Sequence, residues 1–274
     1  MQPDFLIIGA MKCGTSTLQA QLARQQGIFM TTPKEPNFFS DPDIWARGMD
    51  WYQGLFAGAR PGDLKGEAST HYTKLPTYPE CAARLIAALP DIRLVYMTRD
   101  PIARLISHYL HEWSMGVITC DLETALERHP ELIAYSCYGM QIAPYVEAYG
   151  AARICLSSLE RIEAAPQAEL SRVAAFIGYP GAAVWQSAEA RMNVSAERIR
   201  RFPGYGLLVD NPVAAGLRRV LVPKALRQAV KRRLQRRDRP ELEPASRQRL
   251  VEIFARDQAR LQALLPEQIS RTPA

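Results

Sequence analysis

No stretch of this 274-residue sequence is apolar over the roughly 20 residues that a membrane-spanning helix needs. The chain enters a strand-like apolar run, Phe5 to Ile8, without a basic leader or a cleavage site before it. These absences predict a protein without a transmembrane segment. We expect it to remain in the cytoplasm, the compartment where it is made.

The sequence also lacks the cysteine spacing of a disulfide framework or a zinc site. Its five cysteines are odd in number, scattered and free of C-x-x-C pairs: Cys13, Cys81, Cys120, Cys137 and Cys155. A reduced compartment fits this usage, and the sequence predicts no metal site.

The length and the charge distribution bound the domain organisation. With 47% hydrophobic residues, no internal repeat and no clear linker, residues 1–274 are expected to form one domain. The net charge of +6 is concentrated in "RRVLVPKALRQAVKRRLQRRDR", Arg218 to Arg239, within a basic helical segment predicted at about 216–264. That segment is predicted to be a lid over an acidic acceptor, a membrane-surface helix or, by default, a packed helix with a solvated face.

Apolar runs alternate with helical patterns, which is typical of α/β architecture. Three runs predict buried parallel strands: Phe5 to Ile8, Leu94 to Thr98 and Arg153 to Ser157. Helices are predicted at Ser16 to Gln25, Pro79 to Asp91, Pro101 to Ser114, Leu122 to Arg128, Gln141 to Tyr149, Ala168 to Ile177 and Ser246 to Leu264.

The segment "GAMKCGTST" after the first run indicates a phosphate-binding loop with an unusual lysine position. Gly9 and Gly14 have the usual nucleotide-loop spacing, but Thr15 stands where the lysine is expected and Lys12 lies inside the loop. Glycines allow successive N–H groups to point inward, and the following helix adds its positive end, so the loop suits an anion. A P-loop kinase is less favoured because its lysine is displaced. Lys12 can instead neutralise charge on a departing oxygen.

A second polar group follows the second predicted strand in "RLVYMTRDPIARLISHYLHEW". Arg99 stands at the carboxyl end of that strand, where open α/β sheets bind ligands. On the next helix Ala103, Ser107 and His111 are four apart and share a face. An arginine and a hydroxyl directed to one place suit a second phosphate. The alternative is a structural ion pair between Arg99 and Asp100 or Glu112.

In order along the chain, "GAMKCGTSTL", "KEPNFF" and "RDPIARLISHYLHEW" resemble motifs of sulfotransferases that use 3′-phosphoadenosine 5′-phosphosulfate (PAPS). The resemblance is greatest to the heparan sulfate type and its bacterial relatives. It is strong to about Trp113 and weaker to about Pro203. It implies a P-loop NTPase-like sulfotransferase fold, a central parallel sheet flanked by helices, and metal-independent transfer of a sulfuryl group to a hydroxyl or amine.

The same resemblance implies a set of donor-binding residues. Lys12 takes the charge-stabilising role on the departing group, and the 3′-phosphate lies at the end of the second strand. The implied contacts are Lys12, Cys13, Gly14, Thr15, Ser16 and Thr17 for the 5′-phosphosulfate, and Arg99 with Ser107 for the 3′-phosphate.

In "KEPNFF" the family places its general base at the glutamate, which is Glu35 here. A carboxylate within hydrogen-bond reach can remove the proton of an attacking alcohol, and burial beside Phe38 and Phe39 is expected to raise its pKa. The alternative is a surface ion pair between Glu35 and Lys34. His111 matches a histidine near the acceptor in the N-sulfotransferase branch and is the second candidate for proton handling.

The sequence departs from the heparan-type pattern in two places. Ala68 in "GEASTHYT" stands where those enzymes usually have a lysine, which weakens the expectation of a heparan-like substrate. The segment "RMNVSAERIRRF" replaces a loop rich in lysine and glycine that closes over the donor. It is predicted either as a basic surface turn or as a source of 3′-phosphate contacts from Asn193, Ser195, Arg198, Arg200 and Arg201.

The expected partner is a small-molecule, carbohydrate or lipid acceptor and not nucleic acid, with peripheral membrane contact left open. Sugar, lipid, peptide and polyketide acceptors all fit the sequence. Two other functions also stay open. One is a P-loop kinase that uses ATP and Mg²⁺, and the other is a sensor that binds the nucleotide without catalysis.

Overall fold

A computed structural model describes residues 1–187 and 239–269. Within these ranges the chain forms a five-stranded parallel sheet with strand order β2-β3-β1-β4-β5. The strands are β1 Phe5–Gly9, β2 Ile28–Met30, β3 Leu64–Ala68, β4 Arg93–Thr98 and β5 Ile154–Ser158. The predicted α/β class and parallel sheet are confirmed, and the three predicted strands agree with β1, β4 and β5 to within one residue.

Along the sequence, helices connect the successive strands and also follow the last strand. All seven segments that the sequence predicts as helices contain a helix in the described part of the structure, with ends that differ by a few residues. The helices are α1 Thr15–Leu22, α2 Pro42–Trp45, α3 Gly48–Gly54, α4 Cys81–Ala88, α5 Pro101–Met115, α6 Leu122–Arg128, α7 Glu131–Ala134, α8 Tyr138–Tyr149, α9 Leu159–Ala164, α10 Pro166–Ile177, α11 Pro244–Leu264 and α12 Pro266–Ile269.

Strand β3 was not predicted, because its sequence, LKGEA, carries two charged residues and a glycine. Gly66 is packed so closely that a Cβ there would lie 2.2 Å from the ring of Phe5 and 2.6 Å from the sulfur of Met30. Glu67 is fully buried, and one of its carboxylate oxygens accepts hydrogen bonds from the hydroxyls of Tyr52 and Tyr72 at 2.9 Å each. The strand is therefore held by close packing and buried hydrogen bonds. Neither of these produces an apolar run that could be recognised in the sequence.

The C-terminal helix α11 docks against the rest of the domain. Its residues Leu250 and Phe254 are buried in a cluster with α5, α6 and α7. The carboxylate of Asp257 accepts hydrogen bonds at 2.8 Å from the backbone N–H groups of Gly139 and Met140, at the start of α8. A carboxylate at a helix N-terminus satisfies N–H groups that have no partner within the helix.

Several predictions fall outside the described residues. The basic stretch from 218 to 238 lies there, so the predicted helix at about 216–264 is confirmed only from Pro244 to Leu264. The single-domain assignment stays a prediction. Among the helices of residues 1–187 and 239–269, none combines the length and the apolar character needed to cross a bilayer.

Candidate active site

The parallel strands bring three segments to one edge of the sheet. β1 lies between β3 and β4, with Ile7 paired to both Ala68 and Val95. The loop after Gly9, the turn after Ala68 and Arg99 after β4 therefore leave the sheet side by side at its carboxyl edge, where open α/β sheets bind ligands.

The loop from Gly9 to Gly14 has the tight backbone that its glycines predict. Gly9 has φ 148° and a Cβ there would lie 1.9 Å from the Thr73 hydroxyl, while Gly14 has φ 85° and precedes α1. Lys12 is also left-handed, with φ 69°. Within the described residues no backbone acceptor is found for the N–H groups of Gly14, Thr15 and Ser16. These N–H groups at a helix N-terminus are suited to an anion.

Cys13 lies between the glycines, but its side chain belongs to the core. It is fully buried, its sulfur lies 3.5 Å from the Tyr138 hydroxyl, and burial raises the pKa of its thiol to about 11. Its backbone N–H already donates to the carbonyl of Ala10 at 3.2 Å. Cys13 was assigned to the donor, but its side chain and its N–H are both engaged by the protein.

Arg99 and Ser107 lie where the second phosphate was predicted, after β4 and on α5. The Asp100 carboxylate caps α5 by accepting from the Ala103 N–H at 2.7 Å, and Glu112 is bound to His108. Neither Asp100 nor Glu112 forms an ion pair with Arg99, and no hydrogen bond or ion pair joins its side chain to another described residue. Ser107 is buried on the following helix.

Glu35 is fixed beside the turn that follows β3. Its backbone has φ 59°, and its N–H donates to the carbonyl of Ala68 at 3.0 Å. Its carboxylate accepts from the Lys34 ammonium at 2.6 Å and from the Thr70 hydroxyl at 3.3 Å. The pairing with Lys34 exists as the alternative prediction described, yet the same carboxylate is partly buried and bonded to the β3 turn.

The expectation of a raised pKa for Glu35 is wrong. Burial raises it, but the ion pair and hydrogen bond with Lys34, together with His71 and Lys74, outweigh burial and hold the pKa below its ordinary value of 4.5. Phe38 and Phe39 do not change this, because both are fully buried in the core, where Phe38 stacks on Tyr52.

The sulfotransferase domain family matches residues 2–201 of the chain, which is more than half of its length. The chain belongs to the sulfotransferase domain family. A crystal structure of a sulfotransferase from Alicyclobacillus acidocaldarius is similar over 97% of this chain and 96% of that chain, with 25% identity and a TM-score of 0.68. The predicted family and fold are confirmed.

Curated relatives share part of their length with this sulfotransferase domain. Human heparan sulfate glucosamine 3-O-sulfotransferase 3B1 is 30% identical over 188 residues, which are 64% of this chain and 46% of that protein. The membrane-associated sulfotransferase kil1 of Dictyostelium discoideum is 33% identical over 110 residues, 39% of this chain and 22% of that protein. The chain spans about half the length of the heparan sulfate relatives it matches.

Helix α5 of the sulfotransferase domain carries a buried polar row on the side of Arg104. Arg104 is fully buried, and its Nε donates to the Ser136 hydroxyl at 2.6 Å. Its Nη2 donates to the Leu132 carbonyl at 2.9 Å and lies 3.3 Å from His108 Nδ1. His108 Nε2 lies 3.5 Å from the Glu112 carboxylate. Burial lowers the pKa of His108 to about 4, so the ring is neutral at pH 7, accepts from Arg104 and donates to Glu112.

His111 lies one turn after Ser107 on α5 and is partly buried. It is in electrostatic range of Glu112, whose pKa is lowered first by the hydrogen bond from His108. Its proton-handling role stays a prediction.

The turn after β3 supplies residues beside the candidate base that the sequence did not reveal. It is a short 3₁₀ helix, Thr70–Thr73, followed by Lys74. His71 stacks on Tyr78 with ring centroids 4.9 Å apart, and burial lowers its pKa to about 4. Thr70, His71 and Lys74 all act on Glu35. No spacing or motif in "GEASTHYTK" singles them out, because the contacts are made across 35 residues or more of chain.

The remaining donor residues predicted from the sequence are Asn193, Ser195, Arg198, Arg200 and Arg201. All five lie outside the described residues, so their donor contacts stay predictions. Within residues 1–187 and 239–269 no group of three or more histidine, cysteine and acidic side chains can hold a metal ion.

Proposed function

We propose that this protein transfers the sulfuryl group of PAPS to a hydroxyl or amine of an acceptor. The observation that carries the proposal is the meeting, at one edge of the sheet, of the Gly9 loop, Arg99 and Glu35. Two anion-binding segments follow neighbouring strands, which fits a donor with two separate phosphate-bearing ends.

The residues present fit this donor. The N–H groups of Gly14, Thr15 and Ser16 have no backbone acceptor among the described residues, and the absence of a Cβ at Gly9 allows the loop to approach Thr73 closely. Arg99 offers a planar set of donors that suits a phosphate and is not used by another described side chain. When bound, PAPS supplies an activated sulfuryl group, and the transfer of this group to a nucleophile needs no metal.

The roles of the protein's own residues follow from their positions. Glu35, ionised at neutral pH, accepts the proton of the acceptor hydroxyl or amine. The Thr70 and Ala68 contacts orient its carboxylate. Lys12, in the loop, neutralises negative charge on the departing phosphate oxygen. Arg99 and Ser107 hold the 3′-phosphate.

A carbohydrate acceptor is the substrate class favoured by the relatives, several of which are named heparan sulfate glucosamine 3-O-sulfotransferases. Ala68 is buried within β3, so this position offers no cation to a sugar sulfate or carboxylate. We therefore propose an acceptor that, unlike heparan sulfate, needs no cation at position 68 to bind its sulfate or carboxylate. Location in the cytoplasm also stays a proposal.

The test compares ligands by their effect on the melting temperature, because a ligand bound only to the folded protein stabilises it by mass action. The product nucleotide, 3′,5′-adenosine bisphosphate (PAP), should raise the melting temperature, and ATP with Mg²⁺ should not. A panel of sugar, lipid and peptide acceptors with PAPS is then analysed by mass spectrometry for the added sulfuryl group. Stabilisation by ATP with Mg²⁺ alone would favour a kinase, and PAP binding without any transfer would favour a sensor.

A further inference from the structure

Lys74 is held rigidly between two anchored neighbours at the carboxyl edge of the sheet. On one side, the Thr73 hydroxyl donates to the Ile8 carbonyl of β1 at 2.8 Å. On the other side, the backbone N–H and carbonyl of Leu75 both bond to the buried amide of Gln141, at 2.7 and 2.8 Å. The backbone of Lys74 therefore has a fixed position directly after the turn that carries Thr70.

The Lys74 side chain is partly buried among charged groups of the candidate active site. Its ammonium lies 5.7 Å from the centroid of the Tyr135 ring and in electrostatic range of the carboxylates of Glu35 and Glu112 and of the Arg104 guanidinium. His71 and His108 also face it, and both are neutral at pH 7 because burial lowers each pKa to about 4.

Both carboxylates near Lys74 are bonded to other side chains. Glu35 accepts from Lys34 and Thr70, and Glu112 lies against His108. No hydrogen bond or ion pair joins the Lys74 ammonium to any residue within 1–187 and 239–269. Burial lowers its pKa to about 8, which still leaves the amine mostly protonated at pH 7. A partly buried ammonium with three N–H donors and no acceptor among these residues is available to an anionic ligand, whose charge would offset the cost of its partial burial.

We propose that Lys74 binds an anionic group of the acceptor, a carboxylate or a sulfate, next to the hydroxyl or amine that Glu35 deprotonates. This inference rests on the proposed function and names the acceptor chemistry that the site selects. The fixed 3₁₀ turn gives the geometric reason, since Thr70 at its start bonds to the base and Lys74 follows its end. A negative charge on the acceptor would then lie at Lys74 while the nucleophile lies at Glu35.

The experiment uses matched pairs of small probes that differ by one anionic group. The pairs are 4-nitrophenyl β-D-glucuronide with 4-nitrophenyl β-D-glucoside, and N-sulfoglucosamine with N-acetylglucosamine. With PAP present and absent, the rate at which an activated ester acylates Lys74 is followed by peptide mass spectrometry. The matched internal control is Lys65, which is ion-paired with Asp4 at 2.8 Å and lies on β3 before the carboxyl edge.

At least one anionic probe is expected to slow acylation of Lys74 about fivefold or more, while its neutral partner and the rate at Lys65 show no change. Lys74→Met should lower transfer to anionic acceptors at least tenfold relative to neutral ones, and Lys74→Arg should retain part of the preference. Lys65→Met should behave like the wild type. The shift in melting temperature caused by PAP should be the same in all variants, which also shows that they fold.

Equal acylation of Lys74 with every probe would overturn the inference, as would an unchanged acceptor preference in Lys74→Met. A loss of PAP binding in Lys74→Met would also overturn it, because Lys74 would then be a donor ligand. The two proposals fail separately. Protection of Lys74 without any sulfuryl transfer leaves the anion site standing and contradicts the proposed function, whereas transfer that ignores Lys74 contradicts only this inference.

Discussion

Thr70 donates its hydroxyl hydrogen to the Glu35 carboxylate, with 3.3 Å between Oγ1 and Oε1. The two residues are 35 positions apart in sequence, and the bond joins the turn after β3 to the loop that carries the candidate base. Glu35 is thereby oriented by the same sheet edge that carries the Gly9 loop. Thr70 acts through Glu35 and is a positioning residue.

Replacing Thr70 by valine keeps the shape of the side chain and removes the donor. We expect kcat to fall about fivefold, the equivalent of about 1 kcal/mol for one hydrogen bond, with the Kd for PAP unchanged. Steady-state kinetics and calorimetric titration measure the two quantities. Thr124→Val is the matched control, because the Thr124 hydroxyl also donates to a carboxylate, Asp121, at 3.1 Å on the exposed end of α6. Equal kcat values in the two variants would show that Thr70 does not position Glu35 for catalysis.

The pH profile of transfer should show the low pKa of Glu35. An ionised base works above its pKa, so activity falls as the pH falls through it, and the wild-type acid limb should lie below pH 4.5. Lys34→Met removes the ion pair and hydrogen bond that hold this pKa down, and the acid limb should move to higher pH. The measurement is kcat/KM against pH for both proteins.

The control for this shift is Lys65→Met, which breaks another lysine ion pair, the one with Asp4. Its acid limb should coincide with that of the wild type. Glu35→Gln should lower kcat roughly 10²- to 10⁴-fold. An acid limb that stays in place in Lys34→Met, or a Glu35→Gln variant with normal turnover, would rule out Glu35 as the base.

Gly9 should not tolerate a side chain. A Cβ there would meet the Thr73 hydroxyl at 1.9 Å at φ 148°, so Gly9→Ala should lower the free energy of unfolding by about 3 kcal/mol. Gly54→Ala is the matched control, since no atom lies within 4 Å of a Cβ at Gly54, the last residue of α3, and the change there should be neutral or stabilising by up to about 1 kcal/mol. Chemical denaturation compares the two, and equal stabilities would contradict the close contact with Thr73.

Glu67 should make stability depend on pH. Burial raises its pKa from 4.5 to about 7, so between these values the folded protein holds a proton that the unfolded chain has lost. Its contribution is fully present below pH 4.5 and is lost as the pH rises to about 7. The free energy of unfolding of Glu67→Gln relative to wild type should therefore increase by roughly 2 to 3 kcal/mol from pH 5 to pH 8. Denaturation curves that differ by a constant amount across this range would show that Glu67 does not titrate there.

The sequence predicts those parts of the fold that carry local signals. Strands β1, β4 and β5 are apolar runs, and α5 begins with a capping Asp100 and a proline, so all four segments were identified with small end errors. Strand β2 has only three residues, and β3 contains Lys65 and Glu67. The apolar run of β2 is too short to be recognised and β3 presents none, so both were missed.

The candidate site was predictable to the extent that it lies in ordered motifs. Lys12, Glu35 and Arg99 were named from such motifs, and the structure places their segments at one edge of the sheet. The direction of the Glu35 pKa was wrong because Lys34, followed by His71 and Lys74, outweighs the effect of burial, and the last two reach Glu35 only through folding. Lys74 itself follows an ordinary "HYT" segment, and only the anchoring of Thr73 and Leu75 gives it a defined position.

The binding of one nucleotide by two separate segments is tested most directly by comparing PAP with AMP, which lacks the 3′-phosphate, in calorimetric titrations. The wild type should bind PAP much more tightly than AMP, and Arg99→Met should weaken PAP binding roughly 30- to 100-fold while leaving the Kd for AMP unchanged. Arg93→Met, at the opposite end of β4, where Arg93 donates to the Ile177 carbonyl at 2.9 Å, is the control and should leave the ratio of the two Kd values intact. Equal affinity for PAP and AMP in the wild type, or a ratio unchanged by Arg99→Met, would contradict the account.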